Sequence, residues 1–198
     1  PLGPVTPSLL ITAIGIIPDI RKTVSMNLKA ADNPLYIIGV TRPELGGSEY
    51  YRLFNVLGTR VPIVDSTAMK QQMAAIAEAM DQQLIVACHD LSEGGLGVSA
   101  AEMALAGELG MTLDLSKIPN EECRRDDTLL FSETNSRFLI EVPEHVTSQF
   151  EDCFKECTYS RIGEVTTNSH LVIRGRTKTR LIDIETDVLR SAWIGGLQ

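Results

Sequence analysis

The chain has 198 residues, of which 43% are hydrophobic but only 5% aromatic, and it carries a formal net charge of −8. That length and apolar content suffice for a packed core of mainly aliphatic side chains. The acidic balance excludes a general nucleic-acid binder, which needs clustered Lys and Arg to neutralise phosphates.

The first residues, Pro1-Leu2-Gly3-Pro4, have neither the charged start nor the apolar core of a signal peptide, and no initiator Met. They read as the start of a piece cut from a longer protein. Residues 9–17, rich in Ile and bounded by Pro7 and Pro18, read as a buried strand. Residues 19–29 read as a turn or short helix followed by a half-exposed strand, and residues 35–40 as a second buried strand. Gly46-Gly47-Ser48-Glu49 opens a segment with Tyr50, Leu53, Phe54 and Leu57 at helical spacing, stopped at Gly58. Asp65 or Ser66 caps a longer helix in which Met69, Met73, Ile76 and Met80 recur at four, three and four, predicting one stripe on the core.

Residues 84–88 follow as a strand, and the polar, glycine-bearing loop 89–95 leads directly into a helix patterned by Leu96, Ala100, Met103, Ala104 and Gly107. Strands are expected at 111–115 and 137–142, a helix over 144–157, and further strands at 159–165, 171–174 and 181–184. Arg174, Arg176, Lys178 and Arg180 alternate with other residues and would share one solvated face of a strand. Cys88, Cys123, Cys153 and Cys157 lack the pairing pattern of small secreted scaffolds, which points to a reducing, cytoplasmic compartment. No apolar run reaches the roughly 18–20 residues of a membrane helix. Without linker or repeat, residues 1–198 read as one domain. Several closing strands have no crossover helix among them, which predicts an α+β fold: a mixed β-sheet with helices packed on one face.

Most of the reactive side chains fall in the loop 89–95. A loop that leaves a buried strand and enters a helix presents unpaired amides, and the adjacent Gly94 and Gly95 would let a phosphate approach the main chain. Asp90 offers a hard oxygen to Mg²⁺, and Ser92 a hydroxyl to a phosphate oxygen. In an extended chain these two share a face, with His89 opposite, packing or positioning the loop. The same residues also suit a plain helix start, with Ser92 as cap, Glu93 in the first turn and the glycines in a tight bend. The pattern is neither a Walker loop nor a Rossmann fingerprint. Two more loops can join it: Gly46 to Glu49 as a second helix start, and residues 132–137, where Arg137 is either a phosphate fork or part of a surface turn. No triad or complete catalytic apparatus is evident.

The string His89-Asp90-Leu91-Ser92-Glu93-Gly94-Gly95-Leu96, followed by Ala101-Glu102-Met103-Ala104, resembles the C-terminal domain of the phosphoribosylformylglycinamidine synthases, also called formylglycinamide ribonucleotide amidotransferases. Pro7-Ser8-Leu9-Leu10, Glu44 to Tyr50, Leu130 to Glu133 with Ser136-Arg137, Ile162 to Val165, and Leu189, Trp193, Gly195 and Leu197 continue the resemblance in order. It implies a domain of an aminoimidazole-ribonucleotide-synthetase-like fold within an ATP-dependent ligase of de novo purine biosynthesis. There, ATP activates the formamide oxygen of formylglycinamide ribonucleotide, and ammonia from a glutaminase subunit or domain displaces the phosphate. It further implies that Asp90 and Ser92 contact Mg²⁺ and a nucleotide at the second, structural nucleotide site that the family has beside its working active site, that the partners are the remaining domains of the synthetase, and that this piece is inactive alone. Two other readings are a related enzyme, such as a selenophosphate synthetase or thiamine-phosphate kinase, and a docking domain without ligand contacts.

Overall fold

The computed structural model describes residues 10–196, so Pro7 to Leu9 and Leu197 of the motifs above lie outside the described residues. A seven-stranded sheet organises the rest. Its strands are β1 (Pro34–Ile38), β2 (Ala87–Asp90), β3 (Gly110–Asp114), β4 (Phe138–Glu141), β5 (Tyr159–Thr166), β6 (His170–Arg174) and β7 (Arg180–Glu185), in the order β2-β4-β1-β5-β3-β6-β7. All neighbours are antiparallel except β3 and β6. The sheet is therefore mixed, and the α+β class stands.

Alternation along the central strand explains the two cores. In β1 every residue is buried: Leu35 and Ile37 point to one side, Tyr36 and Ile38 to the other. On the first side pack Leu96, Ala100, Met103 and Ala104 of α3 (Gly95–Gly107), Leu129 and Leu130 of α4 (Asp126–Phe131), and Leu189 of α6 (Thr186–Gly195). On the second side, over β2, β4 and β1, pack Ala75, Ile76 and Ala79 of α2 (Ser66–Asp81) and Phe150 of α5 (Thr147–Cys153), with Phe154 just beyond it. Helices expected on one face thus cover parts of both. Phe150 and Phe154 are each fully buried, which contributes about 1.5–3 kcal/mol apiece. Asp65 caps α2, accepting from the amides of Thr67 and Ala68 at 3.0 Å each, as its position before the helical pattern implied.

Several expectations are corrected. Residues 10–17 form no strand, and Leu10, Ile14 and Ile16 are each 93% exposed. Behind them Asp19 caps a single 3₁₀ turn, Ile20–Lys22, and the strand expected before Lys29 reduces to one bridge from Ser25 to Ala87. The helix after Gly47 ends early: α1 is only Glu49–Arg52, capped by Ser48. Asn55 then takes a left-handed conformation at φ 55, turning Leu53, Phe54 and Leu57 outward. The buried face of α2 is Gln72, Ala75, Ile76 and Ala79, so Met69 and Met73 of the expected core stripe point away from it. Residues 144–153 divide into a 3₁₀ turn and α5. The basic residues occupy no single strand face: Arg174 ends β6, Arg180 starts β7, and the main chain of Gly175 to Thr179 turns between them.

Candidate functional site

Strand β2 forms one edge of the sheet and ends at Asp90, opposite Phe138 of β4. Three contacts fix its tip. The Leu91 amide donates to the Arg137 carbonyl at 2.9 Å, the Leu91 side chain is buried, and the Ser99 hydroxyl of α3 donates to the Asp90 carbonyl at 2.9 Å. The main chain is held from both sides while the Asp90 side chain stays 59% exposed. Asp90 and Ser92 do meet, as their shared face implied: the Ser92 hydroxyl donates to Asp90 Oδ2. His89 Nδ1 lies 3.4 Å from Asp90 Oδ1, and His89 Nε2 lies 2.9 Å from Glu102 Oε2 on α3. The Ser92 hydrogen bond holds the Asp90 carboxyl below its ordinary range against an opposing effect of burial, and the neighbouring imidazole adds to the depression. Behind the loop, burial pushes the Cys88 thiol up to about 12, leaving it protonated and unreactive.

Both glycines have a conformational reason. Gly94 and Gly95 sit at φ 76 and 61. A Cβ on Gly94 would stand 2.3 Å from Val98 Cγ2, and one on Gly95 2.4 Å from the Ser132 carbonyl oxygen. Their amides have partners as well: Gly95 donates to the Ser92 carbonyl at 3.0 Å, and Gly94 to Glu133 Oε1 at 2.9 Å. The same Glu133 oxygen accepts from the Glu49 amide at 3.0 Å. The three loops singled out in the sequence therefore converge, drawn together by a carboxylate whose role the sequence did not reveal.

Arg137 is not a phosphate fork. It is 1% exposed, and its guanidinium donates to the carbonyls of Thr134 and Ser132 and to the Thr41 hydroxyl. Burial pushes it down to about 10. Its work is to shape the loop 132–136 beside Asp90. Of the other histidines, His170 pairs with Asp183 on β7 at 2.8 Å. His145 lies in the turn before α5, remote in sequence from the loop.

Asp90, Ser92 and Glu93 form the polar side of a cleft of about 380 Å³, with Val64, Met69 and Met73 on its apolar side. The sequence signal for this apolar wall was the i, i+4 methionine pair, read as core. Among the described residues no three His, Cys, Asp or Glu side chains cluster as a ready-made metal cage. Asp90 presents an exposed carboxylate held at the strand tip, with the exposed Glu93 nearby, and suits a cation that takes one carboxylate and completes its shell with phosphate and water.

A family model described as AIR synthase related protein, C-terminal domain, matches residues 31–176, which contain the whole cleft. The chain belongs to that family. Over 201 residues it is 35% identical to the phosphoribosylformylglycinamidine synthase subunit PurL of Methanothrix thermoacetophila, covering 100% of this chain and 25% of that protein. The PurL of Moorella thermoacetica is 33% identical over 195 residues, with coverage of 96% and 26%. The chain thus spans about a quarter of the length of these relatives. In three dimensions the family fold superposes on Thermotoga maritima PurL complexed with ATP at TM-score 0.70 and 18% identity, covering 86% of this chain and 27% of that one. It also matches E. coli HypE, a hydrogenase maturation protein, at TM-score 0.59 and 19% identity, covering 80% and 51%.

Proposed function

We propose that the chain is a single C-terminal domain, residues 1–198, of a phosphoribosylformylglycinamidine synthase, and that its cleft at Asp90 forms one wall of a nucleotide site. The observation that carries this reading is the state of Asp90: ionised, exposed, and held through its main chain and both carboxylate oxygens at the mouth of a cleft with one apolar wall. Met69, Met73 and Val64 suit the face of a base or ribose, and Asp90 and Ser92 suit the phosphate end. The relatives' names agree with it, and T. maritima PurL has been solved with ATP and with FGAR.

In this reading Asp90 is a ligand of Mg²⁺, which supplies charge neutralisation of the ATP phosphates. Ser92, released from Asp90, donates to a phosphate oxygen. The Gly94 amide exchanges Glu133 for a phosphate oxygen, with Gly95 setting the turn that aims it. The whole enzyme would convert formylglycinamide ribonucleotide, ATP and glutamine-derived ammonia to formylglycinamidine ribonucleotide. Its partners would be the remaining domains of the synthetase and a glutaminase; a PurLQS assembly is known from T. maritima. No described helix is long and apolar enough to cross a membrane, and the four cysteines are free, which suits a cytoplasmic enzyme.

The test is Asp90→Ala in the full-length synthetase. A loss of ATP-dependent turnover of on the order of tenfold or more, with the fold retained, supports the reading. Unchanged activity, nucleotide content and stability would favour a second reading, a docking domain only. The 78% exposure of both Leu53 and Leu57 supports that alternative.

A further inference from the structure

We propose that Glu102 is a positioning residue for Asp90, acting through His89; the proposal rests on reading Asp90 as a contact of the nucleotide and its metal. On α3, Ser99 and Glu102 are three residues apart and so share a face. That face grips the last two residues of β2. Ser99 takes the Asp90 carbonyl at 2.9 Å, and Glu102 Oε2 takes His89 Nε2 at 2.9 Å.

With Nε2 held by Glu102, the other ring nitrogen falls 3.4 Å from Asp90 Oδ1, a carboxylate it faces as a donor when both ring nitrogens carry a proton, since the neutral ring has a single N–H. Ser92 occupies Oδ2. Each carboxylate oxygen of Asp90 therefore has one assigned neighbour, while a carboxylate offers about four acceptor sites. The Asp90 side chain is 59% exposed, so acceptor positions are left open to a ligand.

A tie between strand and helix needs no charge: an apolar pair at positions 89 and 102 would pack without desolvating a carboxylate. The Glu102 side chain is 22% exposed and that of His89 16%. A half-buried pair of this kind contributes little net stability. What it does contribute is direction, as the carboxylate behind a metal-facing or substrate-facing histidine does elsewhere.

The test uses the full-length synthetase with Glu102→Ala, Glu102→Gln, Asp90→Ala and the Glu102→Ala/Asp90→Ala double variant. The readouts are the Mg²⁺ concentration for half-maximal rate at saturating ATP, kcat, and Tm. Glu102→Ala is expected to raise the half-maximal Mg²⁺ concentration by about tenfold. Glu102→Gln, which keeps an oxygen acceptor for Nε2, is expected to recover most of that loss. In the Asp90→Ala background, Glu102→Ala is expected to add no further change. If Glu102→Ala lowers Tm but leaves the Mg²⁺ dependence at the wild-type value while Asp90→Ala shifts it, Glu102 is a structural tie and the proposal fails alone. If Asp90→Ala itself leaves the Mg²⁺ dependence unchanged, the reading of Asp90 fails and takes the proposal with it.

Discussion

Glu133 Oε1 lies 2.9 Å from the Gly94 amide and 3.0 Å from the Glu49 amide, so one carboxylate joins two glycine-led helix starts. Helix starts carry unpaired donors and a partial positive charge, and here an internal anion satisfies both. Charge-assisted bonds of this kind are the stronger class. Glu133→Ala is expected to cost about 1–3 kcal/mol in urea unfolding, and Glu133→Gln less, since the amide oxygen still accepts. A Glu133→Ala protein as stable as the parent would show the bridge to be energetically idle.

Arg137 is the largest fully buried side chain, and removing it strands the Thr134 and Ser132 carbonyls and the Thr41 hydroxyl. Arg137→Ala is expected to destabilise by about 3–5 kcal/mol, the scale for breaking a buried polar network. Arg137→Lys should rescue only part of this, because an ammonium cannot reproduce the planar fork. Full rescue by Lys in chemical denaturation would contradict this geometry.

Gly47 and Gly95 share a left-handed backbone, φ 76 and φ 61, but differ in surroundings: nothing lies within 4 Å of a Cβ at Gly47, whereas one at Gly95 meets the Ser132 oxygen at 2.4 Å. Gly47→Ala should cost only the conformational penalty, about 1–2 kcal/mol. Gly95→Ala should cost clearly more, because backbone must move. Equal losses of stability for the two variants would rule out the close approach.

Much of the fold was legible in the sequence because the signals were local. The apolar run at β1, the Asp65 cap and the strand–loop–helix unit at residues 87–107 each follow from neighbours along the chain. The errors share a cause. Residues 10–17 have the composition of a buried strand, but composition cannot say whether any described element covers it. In α2 the eye goes to Met69 and Met73, whereas the face that fits against the sheet is built from Gln72, Ala75 and Ala79, whose small or amphipathic side chains allow close packing. At the site, Asp90 and Ser92 were legible as a pair two apart in an extended segment. Glu133 and Glu102 were not, because their roles depend on partners 39 and 13 residues away.

Ser92→Ala removes the main cause of the depressed Asp90 pKa, so an NMR titration should find Asp90 shifted up toward the ordinary aspartate value of about 3.9. A carboxylate depressed in the folded state adds stability above its unfolded value, and loses it as pH falls through the folded value. The parent should therefore hold a small stability advantage over Ser92→Ala at pH above about 4, narrowing as the pH falls below it. With Asp90 59% exposed, solvent screening keeps that advantage below about 1 kcal/mol. An unmoved titration would show that Ser92 does not hold the carboxylate.

The 198-residue chain by itself is expected to show no synthetase turnover, since a single wall of the cleft cannot position both ATP and acceptor. Steady-state assays of the purified chain check this, and sustained turnover would refute it.

The most direct measurement is a crystal structure of the full-length synthetase with Mg²⁺ and a non-hydrolysable ATP analogue. The expected result is a metal-bound triphosphate end at the 89–95 loop, with an Asp90 oxygen at about 2.1 Å from Mg²⁺ and the Gly94 amide turned from Glu133 to a phosphate oxygen. An analogue bound elsewhere, with Asp90 still engaged only by His89 and Ser92 and Glu133 still seated on Gly94, would contradict the assignment of this cleft.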